Sequence, residues 1–239
     1  MQNRTSRAPL VVLISGRGSN LRSLVQATAA GELQSQVAGV ISNRDDAPGL
    51  VWAAGEGLAT RVVDHRNHPD RAAFDRSLAD AVDEMAGSPG DPANRPWVVL
   101  AGFMRILGAP FVSRHQGRIV NIHPSLLPLY PGLHTHRQAL ADGAVLHGAT
   151  VHLVTERLDH GPILAQAIVP VLAGDNEGAL ADRVLAMEHR LYPLALQWLV
   201  SGRVEVEGGR VLLDRSDAVE QRILLHPLLG AAPDVAAAT

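Results

Sequence analysis

The segment that most constrains this chain is residues 9–14, Pro-Leu-Val-Val-Leu-Ile, an unbroken apolar run that stops at Ser15-Gly16-Arg17-Gly18-Ser19-Asn20. Apolar residues then recur at helical spacing, at Leu21, Leu24, Val25 and Ala27. A continuous apolar run suits a buried strand and the later spacing suits a helix, so the pattern reads strand, glycine loop, helix. Residues 37–41 read as a second buried strand, 50–56 as a helix and 60–63 as a third strand. Parallel strands joined by right-handed crossovers connect these pieces most simply. Residues 72–85 form an amphipathic pattern with Phe74, Leu78, Ala81, Val82 and Met85 on one face. A glycine- and proline-rich loop over 87–96 separates that helix from a buried strand at 97–101.

Gly117-Arg118-Ile119-Val120 reads as a short strand entering Asn121-Ile122-His123-Pro124-Ser125-Leu126-Leu127-Pro128. Residues 135–141 fit a short helix, and 149–155 and 163–169 are β-prone runs parted by the turn-forming stretch 156–162. Residues 175–200 fit a long helix with Asp175 as N-cap. Residues 204–206 and 210–213 fit a hairpin around Gly208-Gly209. From 216 to 239 alanine, proline and polar residues dominate, which predicts a loosely packed tail. No repeat or linker divides the chain, so a single α/β domain is expected.

Composition removes several chemistries. The chain has no cysteine and no lysine, all 21 basic residues being arginine. That excludes disulfides, thiolate catalysis, a Schiff-base lysine and the lysine of a nucleotide-triphosphate loop. A formal charge of −3 without a basic block gives no support for nucleic-acid binding. No apolar run approaches the roughly 20 residues that span a bilayer. Small-molecule substrates, no nucleic acid, no membrane and a cytoplasmic location are the expectations; self-association as a homodimer stays open.

Backbone N–H groups at a helix start bind anions. The loop Gly16-Arg17-Gly18-Ser19-Asn20-Leu21 lacks the third glycine of a dinucleotide fingerprint, and Ser42-Asn43-Arg44 supplies no acidic residue for a ribose. A compact phosphate monoester held by Gly18, Ser19 and Asn20 fits better, with a plain tight turn as the alternative. In an extended backbone Asn121 and His123 share one face of the sheet, an arrangement suited to a developing oxyanion or, equally, to capping a strand end. Asp159 reads either as a turn residue or as the carboxylate that supports a charged histidine. His134-Thr135-His136 has a chelating spacing but no acidic neighbour at ligand spacing, so loop hydrogen bonding competes with metal binding. His152 and Glu188 read as semi-buried residues or ligand contacts.

Three motifs carry a resemblance: Ile14-Ser15-Gly16-Arg17-Gly18-Ser19-Asn20-Leu21, Leu100-Ala101-Gly102-Phe103-Met104-Arg105-Ile106-Leu107, and Asn121-Ile122-His123-Pro124-Ser125-Leu126-Leu127-Pro128. Tyr130-Pro131-Gly132-Leu133-His134-Thr135-His136 and Glu188-His189-Arg190-Leu191-Tyr192-Pro193 extend it. Together they closely resemble the phosphoribosylglycinamide formyltransferase family. The resemblance implies one Rossmann-like formyltransferase domain over 9–213 followed by a tail at 214–239. Its central sheet would be mostly parallel and flanked by helices, with a β-hairpin in the C-terminal half. It implies 10-formyltetrahydrofolate as co-substrate and no metal. Gly18, Ser19 and Asn20 would hold the ribonucleotide phosphate and Glu188 the glycinamide end. Arg71, Met104, Arg105, Ile106, Leu107 and Asn121 would meet the folate, and Asn121, His123 and Asp159 would form the catalytic set. The chain departs from the family pattern at His160, commonly glycine, at Leu129, often basic, and in the apparent insertion at 87–96.

Overall fold

The computed structural model describes residues 8–87, 95–213 and 223–226. Strand β1 (Ala8–Ile14) leads through the glycine loop into helix α1 (Ser19–Ala29), followed by β2 (Ser35–Ser42), α2 (Pro48–Gly55) and β3 (Thr60–Val62). Helix α3 (Arg71–Met85), β4 (Trp97–Leu100), α4 (Ala109–Arg114) and β5 (Ile119–His123) complete the first half. The second half comprises α5 (Thr135–Ala141), β6 (Leu146–Leu153), β7 (Ile163–Pro170), α6 (Glu177–Val200), β8 (Val204–Glu207), β9 (Arg210–Leu213) and β10 (Ile223–Leu225).

Eight strands form one sheet in the order β10-β7-β6-β5-β4-β1-β2-β3, and β8 and β9 pair separately as an antiparallel hairpin. All contacts in the large sheet are parallel except those of β6 with β5 and β7. This is the mixed α/β, mostly parallel architecture expected from the sequence. Strand β1 pairs with β2 on one side and β4 on the other, so the chain reverses its direction of growth between β1 and β4. Open α/β sheets bind ligands beyond the carboxyl ends of strands at such a reversal.

Side-chain alternation explains why β1 is apolar throughout. Leu10, Val12 and Ile14 pack on one face with α1, α2 and α6; Val11 and Leu13 pack on the other with α3 and α4. All five are fully buried. Each such burial contributes roughly 1.5–3 kcal/mol, and no polar residue is compatible with either direction. At the loop, Gly18 takes φ 71, and a Cβ there would sit 3.0 Å from the Cα of Gly49 at the start of α2. Gly49 in turn donates its N–H to the carbonyl of Gly16 at 3.0 Å. The loop is therefore pressed against the neighbouring helix.

The structure corrects some local expectations. Asn176, not Asp175, caps α6, accepting from the Ala179 N–H at 2.9 Å. Asp175 is instead taken by Arg183, at 2.6 and 2.9 Å, and by the Leu172 N–H. Strand β6 begins at Leu146 rather than 149, because the buried His147 and Gly148 carry no apolar signal, and the short helix α4 has too few turns to show a period. The apparent insertion lies largely outside the described residues, as does most of the expected tail. Of the tail, Ile223–Leu225 add a parallel edge strand to β7.

Candidate active site

Asn121 and His123 lie on β5 at its carboxyl end, and both face one cavity of ≈ 710 Å³. The antiparallel ladder sets Asn121 directly opposite His152 on β6. The Asn121 amide nitrogen lies 3.2 Å from His152 Nε2, while His152 Nδ1 lies 3.0 Å from the Leu153 carbonyl. A carbonyl only accepts, so the His152 proton sits on Nδ1 and Nε2 accepts from the Asn121 amide. Burial holds His152 below its ordinary 6.5, with the Leu153 hydrogen bond and Asp159 opposing. Being neutral, it serves as an acceptor. One N–H of Asn121 is thereby fixed and the other stays available to the cavity.

His123 Nε2 lies 2.9 Å from the Tyr130 carbonyl, which fixes a proton on that nitrogen. Its Nδ1 lies 3.6 Å from Asp159 Oδ2. Asp159 is itself anchored: Oδ2 accepts the Gly132 N–H at 2.8 Å, and Oδ1 is 3.9 Å from His152 Nε2. The structure therefore brings Asn121, His123 and Asp159 together, with His152 as a fourth member. The sequence leaves His152 as either a semi-buried residue or a ligand contact; its position opposite Asn121 is the signal, visible only once the β5–β6 register is known.

The other wall of the cavity comes from the segment after β4. Met104, Arg105, Ile106 and Leu107 all line it, as does Arg71 at the start of α3. Met104 and Ile106 are large apolar side chains left 66% and 59% exposed, which fits an apolar ring system better than water. Two side chains pin this segment. The Met104 N–H donates to Ser15 Oγ at 2.7 Å, and the Gly108 N–H donates to Asp75 Oδ2 at 2.8 Å. Burial pushes the Asp75 carboxyl up, the Gly108 N–H and Arg71 opposing.

Gly18, Ser19 and Asn20 open helix α1, and no side chain caps its N-terminal N–H groups. No acidic residue stands in its first turn. That end is electrically suited to an anion. The Asn20 side chain turns inward, its amide donating to Glu188 Oε2 at 2.6 Å, and both residues are 7% exposed. Burial raises Glu188 above its ordinary range, with the Asn20 hydrogen bond opposing. His136 also turns inward, its Nδ1 3.1 Å from His147 Nε2, whereas His134 occupies the left-handed region at the start of α5. Among the described residues no group of three or more His, Asp or Glu is arranged to hold a metal ion. Nor is any helix there long and apolar enough to cross a membrane.

The cavity at the carboxyl ends of β4 and β5 gathers an amide, a histidine and a carboxylate with large apolar side chains, the groups that a group-transfer enzyme needs. The chain belongs to the formyl transferase family, whose model matches residues 8–196. Its relatives are more particular. The phosphoribosylglycinamide formyltransferase of Escherichia coli (strain K12) is 47% identical over 205 residues, 86% of this chain and 93% of that one. The solved glycinamide ribonucleotide transformylase 1 of Symbiobacterium toebii is 42% identical with TM-score 0.83, covering 89% of this chain and 97% of that one. The phosphoribosylglycinamide formyltransferase of Coxiella burnetii is 41% identical with TM-score 0.81, covering 93% and 100%.

Proposed function

We propose that this enzyme transfers the formyl group of 10-formyltetrahydrofolate to the amine of N1-(5-phosphoribosyl)glycinamide, a step of de novo purine biosynthesis. The observation that carries the reading is the convergence of Asn121, His123 and Asp159 on one cavity that is also lined by Met104-Arg105-Ile106-Leu107, with the apolar side chains of Met104 and Ile106 exposed. The pterin ring fits that wall, and Arg71 at its rim suits an acidic folate tail. The uncapped start of α1 suits the phosphate, and Glu188 the glycinamide end of the ribonucleotide.

The folate supplies an activated formyl carbon, on which attack by the substrate amine places negative charge on oxygen. The second N–H of Asn121 would stabilise that charge, with the His123 imidazole lining the cavity beside it. Asp159, its Oδ2 3.6 Å from His123 Nδ1, offsets positive charge that develops on the imidazole during transfer, and its second oxygen would guide a water that carries the amine proton to the departing folate nitrogen, releasing tetrahydrofolate. His152 holds Asn121 in the donating orientation.

Absorbance of the folate, followed with and without the ribonucleotide, tests the reading. Turnover that requires both substrates is expected. Formate release independent of the ribonucleotide would convert the assignment to a hydrolase, and absence of any turnover would leave a nucleotide-binding module.

A further inference from the structure

We propose that the Ser15 hydroxyl is a positioning group that couples the ribonucleotide site to the folate site, an inference that rests on the two-substrate reading above. Ser15 is the first residue after β1, immediately ahead of Gly16-Arg17-Gly18. Its Oγ donates to Asn43 Oδ1 at 2.6 Å, beyond the end of β2, and accepts the Met104 N–H at 2.7 Å, beyond the end of β4. Ser15 and Asn43 are 7% and 3% exposed, so neither bond is exchanged for water at little cost.

Those bonds lie where the sheet reverses direction, at the ends of neighbouring strands β1 and β4. One loop leaving that point forms the anion site; the other carries the apolar wall of the cavity. The main chains also touch there, Ser15 N–H to the carbonyl of Gly102, which itself lines the cavity, at 3.1 Å. Ser15 Oγ adds a side-chain tie to that segment, at Met104, whose side chain is 66% exposed. A hydroxyl whose proton goes to Asn43 has its lone pair aimed at Met104, so a shift of the glycine loop on phosphate binding is felt at the wall. By thermodynamic reciprocity, folate binding must then tighten the ribonucleotide by the same factor.

Calorimetry with the ribonucleotide and tetrahydrofolate, which lacks the formyl group and so binds without turnover, reads that factor directly. Each ligand is expected to tighten the other in the wild type. Ser15→Ala is expected to lower the coupling factor about fivefold, the equivalent of one buried hydrogen bond, and to speed amide exchange at Met104. Ser15→Thr, which keeps the hydroxyl, is expected to restore both. Should Ser15→Ala fail to fold, Asn43→Ala removes the acceptor that aims the hydroxyl and is expected to lower the factor in the same direction. Wild-type coupling in the folded variants, or no coupling in the wild type, overturns the proposal. Wild-type formyl transfer measured in parallel separates the cases: transfer with unaltered coupling sinks this inference alone, whereas absent transfer sinks the functional reading.

Discussion

Replacing His152 by leucine isolates the work of a residue that never needs to touch substrate. His152 is 1% exposed and accepts from the Asn121 amide at 3.2 Å, so leucine removes the acceptor while filling much of the volume. One neutral hydrogen bond is worth about 1 kcal/mol net, which sets a loss of about fivefold in kcat if it acts by orienting Asn121. Deleting the donor with Asn121→Ala removes transition-state stabilisation itself and is expected to cost about 10²–10³ in kcat. The decisive quantity is the double variant. A residue that acts only through Asn121 adds nothing once Asn121 is gone, so the double variant should match Asn121→Ala in a steady-state folate absorbance assay. Losses that multiply would refute the positioning argument. A stability signature accompanies the kinetic one. Because burial lowers the His152 pKa below 6.5, the unfolded chain takes up this proton first as pH falls. Its favourable contribution is present above pH 6.5 and is lost on acidification. The wild type should thus lose stability relative to His152→Leu as pH drops from 6.5 toward that lowered value.

Two further substitutions address the buried polar groups of α6. The Tyr192 hydroxyl, fully buried, lies 2.9 Å from the Leu100 carbonyl and 3.0 Å from the Val120 carbonyl, on the two adjacent strands that feed the site. Tyr192→Phe should cost about 1–3 kcal/mol, seen as a lower urea midpoint with unchanged m-value; a cost under about 0.5 kcal/mol contradicts the pairing. Glu188→Gln keeps an acceptor for Asn20 and removes a carboxylate whose ionisation burial opposes. The folded carboxyl binds its proton more tightly than the ordinary 4.5, so the cost of ionising it appears as pH rises above that value. The glutamine variant should gain stability over wild type between pH 5 and pH 8 while losing ribonucleotide affinity; a pH-independent stability difference in urea titrations excludes the linkage.

Local signals made the strand-loop-helix entry readable because strand burial, glycine conformation and helix period all lie within a few residues of one another. The common face of Asn121 and His123 was readable for the same reason, since i, i+2 alternation needs only an extended backbone. What lay beyond reach depends on register. Asn121 faces His152 only because β5 and β6 run antiparallel in that alignment, and a one-residue slip would turn His152 to the opposite face. The bond from Met104 to Ser15 likewise requires β4 to lie beside β1. The cap of α6 fell between two adjacent acceptors, and Arg183 decided it by capturing Asp175. None of these choices is encoded in spacing along the chain.

Backbone geometry concentrates on the same site. Among the described residues, the non-glycine positions with positive φ are Tyr130 at 53°, His134 at 60° and Asp159 at 51°. Such conformations cost of order 1–3 kcal/mol and persist where the surroundings over-determine them. Here those surroundings are visible: the Ser125 hydroxyl donates to the Leu129 carbonyl at 2.6 Å, and the Gly132 N–H is held by the Asp159 carboxylate. The turn at Tyr130 returns its carbonyl to His123 Nε2, which forces the remaining nitrogen toward Asp159. The left-handed conformation at Asp159 brings its carboxylate back to meet that nitrogen. A glycine at 130 or 159 would adopt the same angles without strain, but at 159 it would remove the carboxylate. At 130 it would relax the backbone but also remove a phenol whose hydroxyl bonds Asp142 and whose ring lies edge-on to His147 at 5.9 Å between centroids, so Tyr130→Gly tests the turn as a whole: kcat near wild type in the folate absorbance assay would show that neither the ring nor the strained backbone is needed to hold the Tyr130 carbonyl against His123 Nε2.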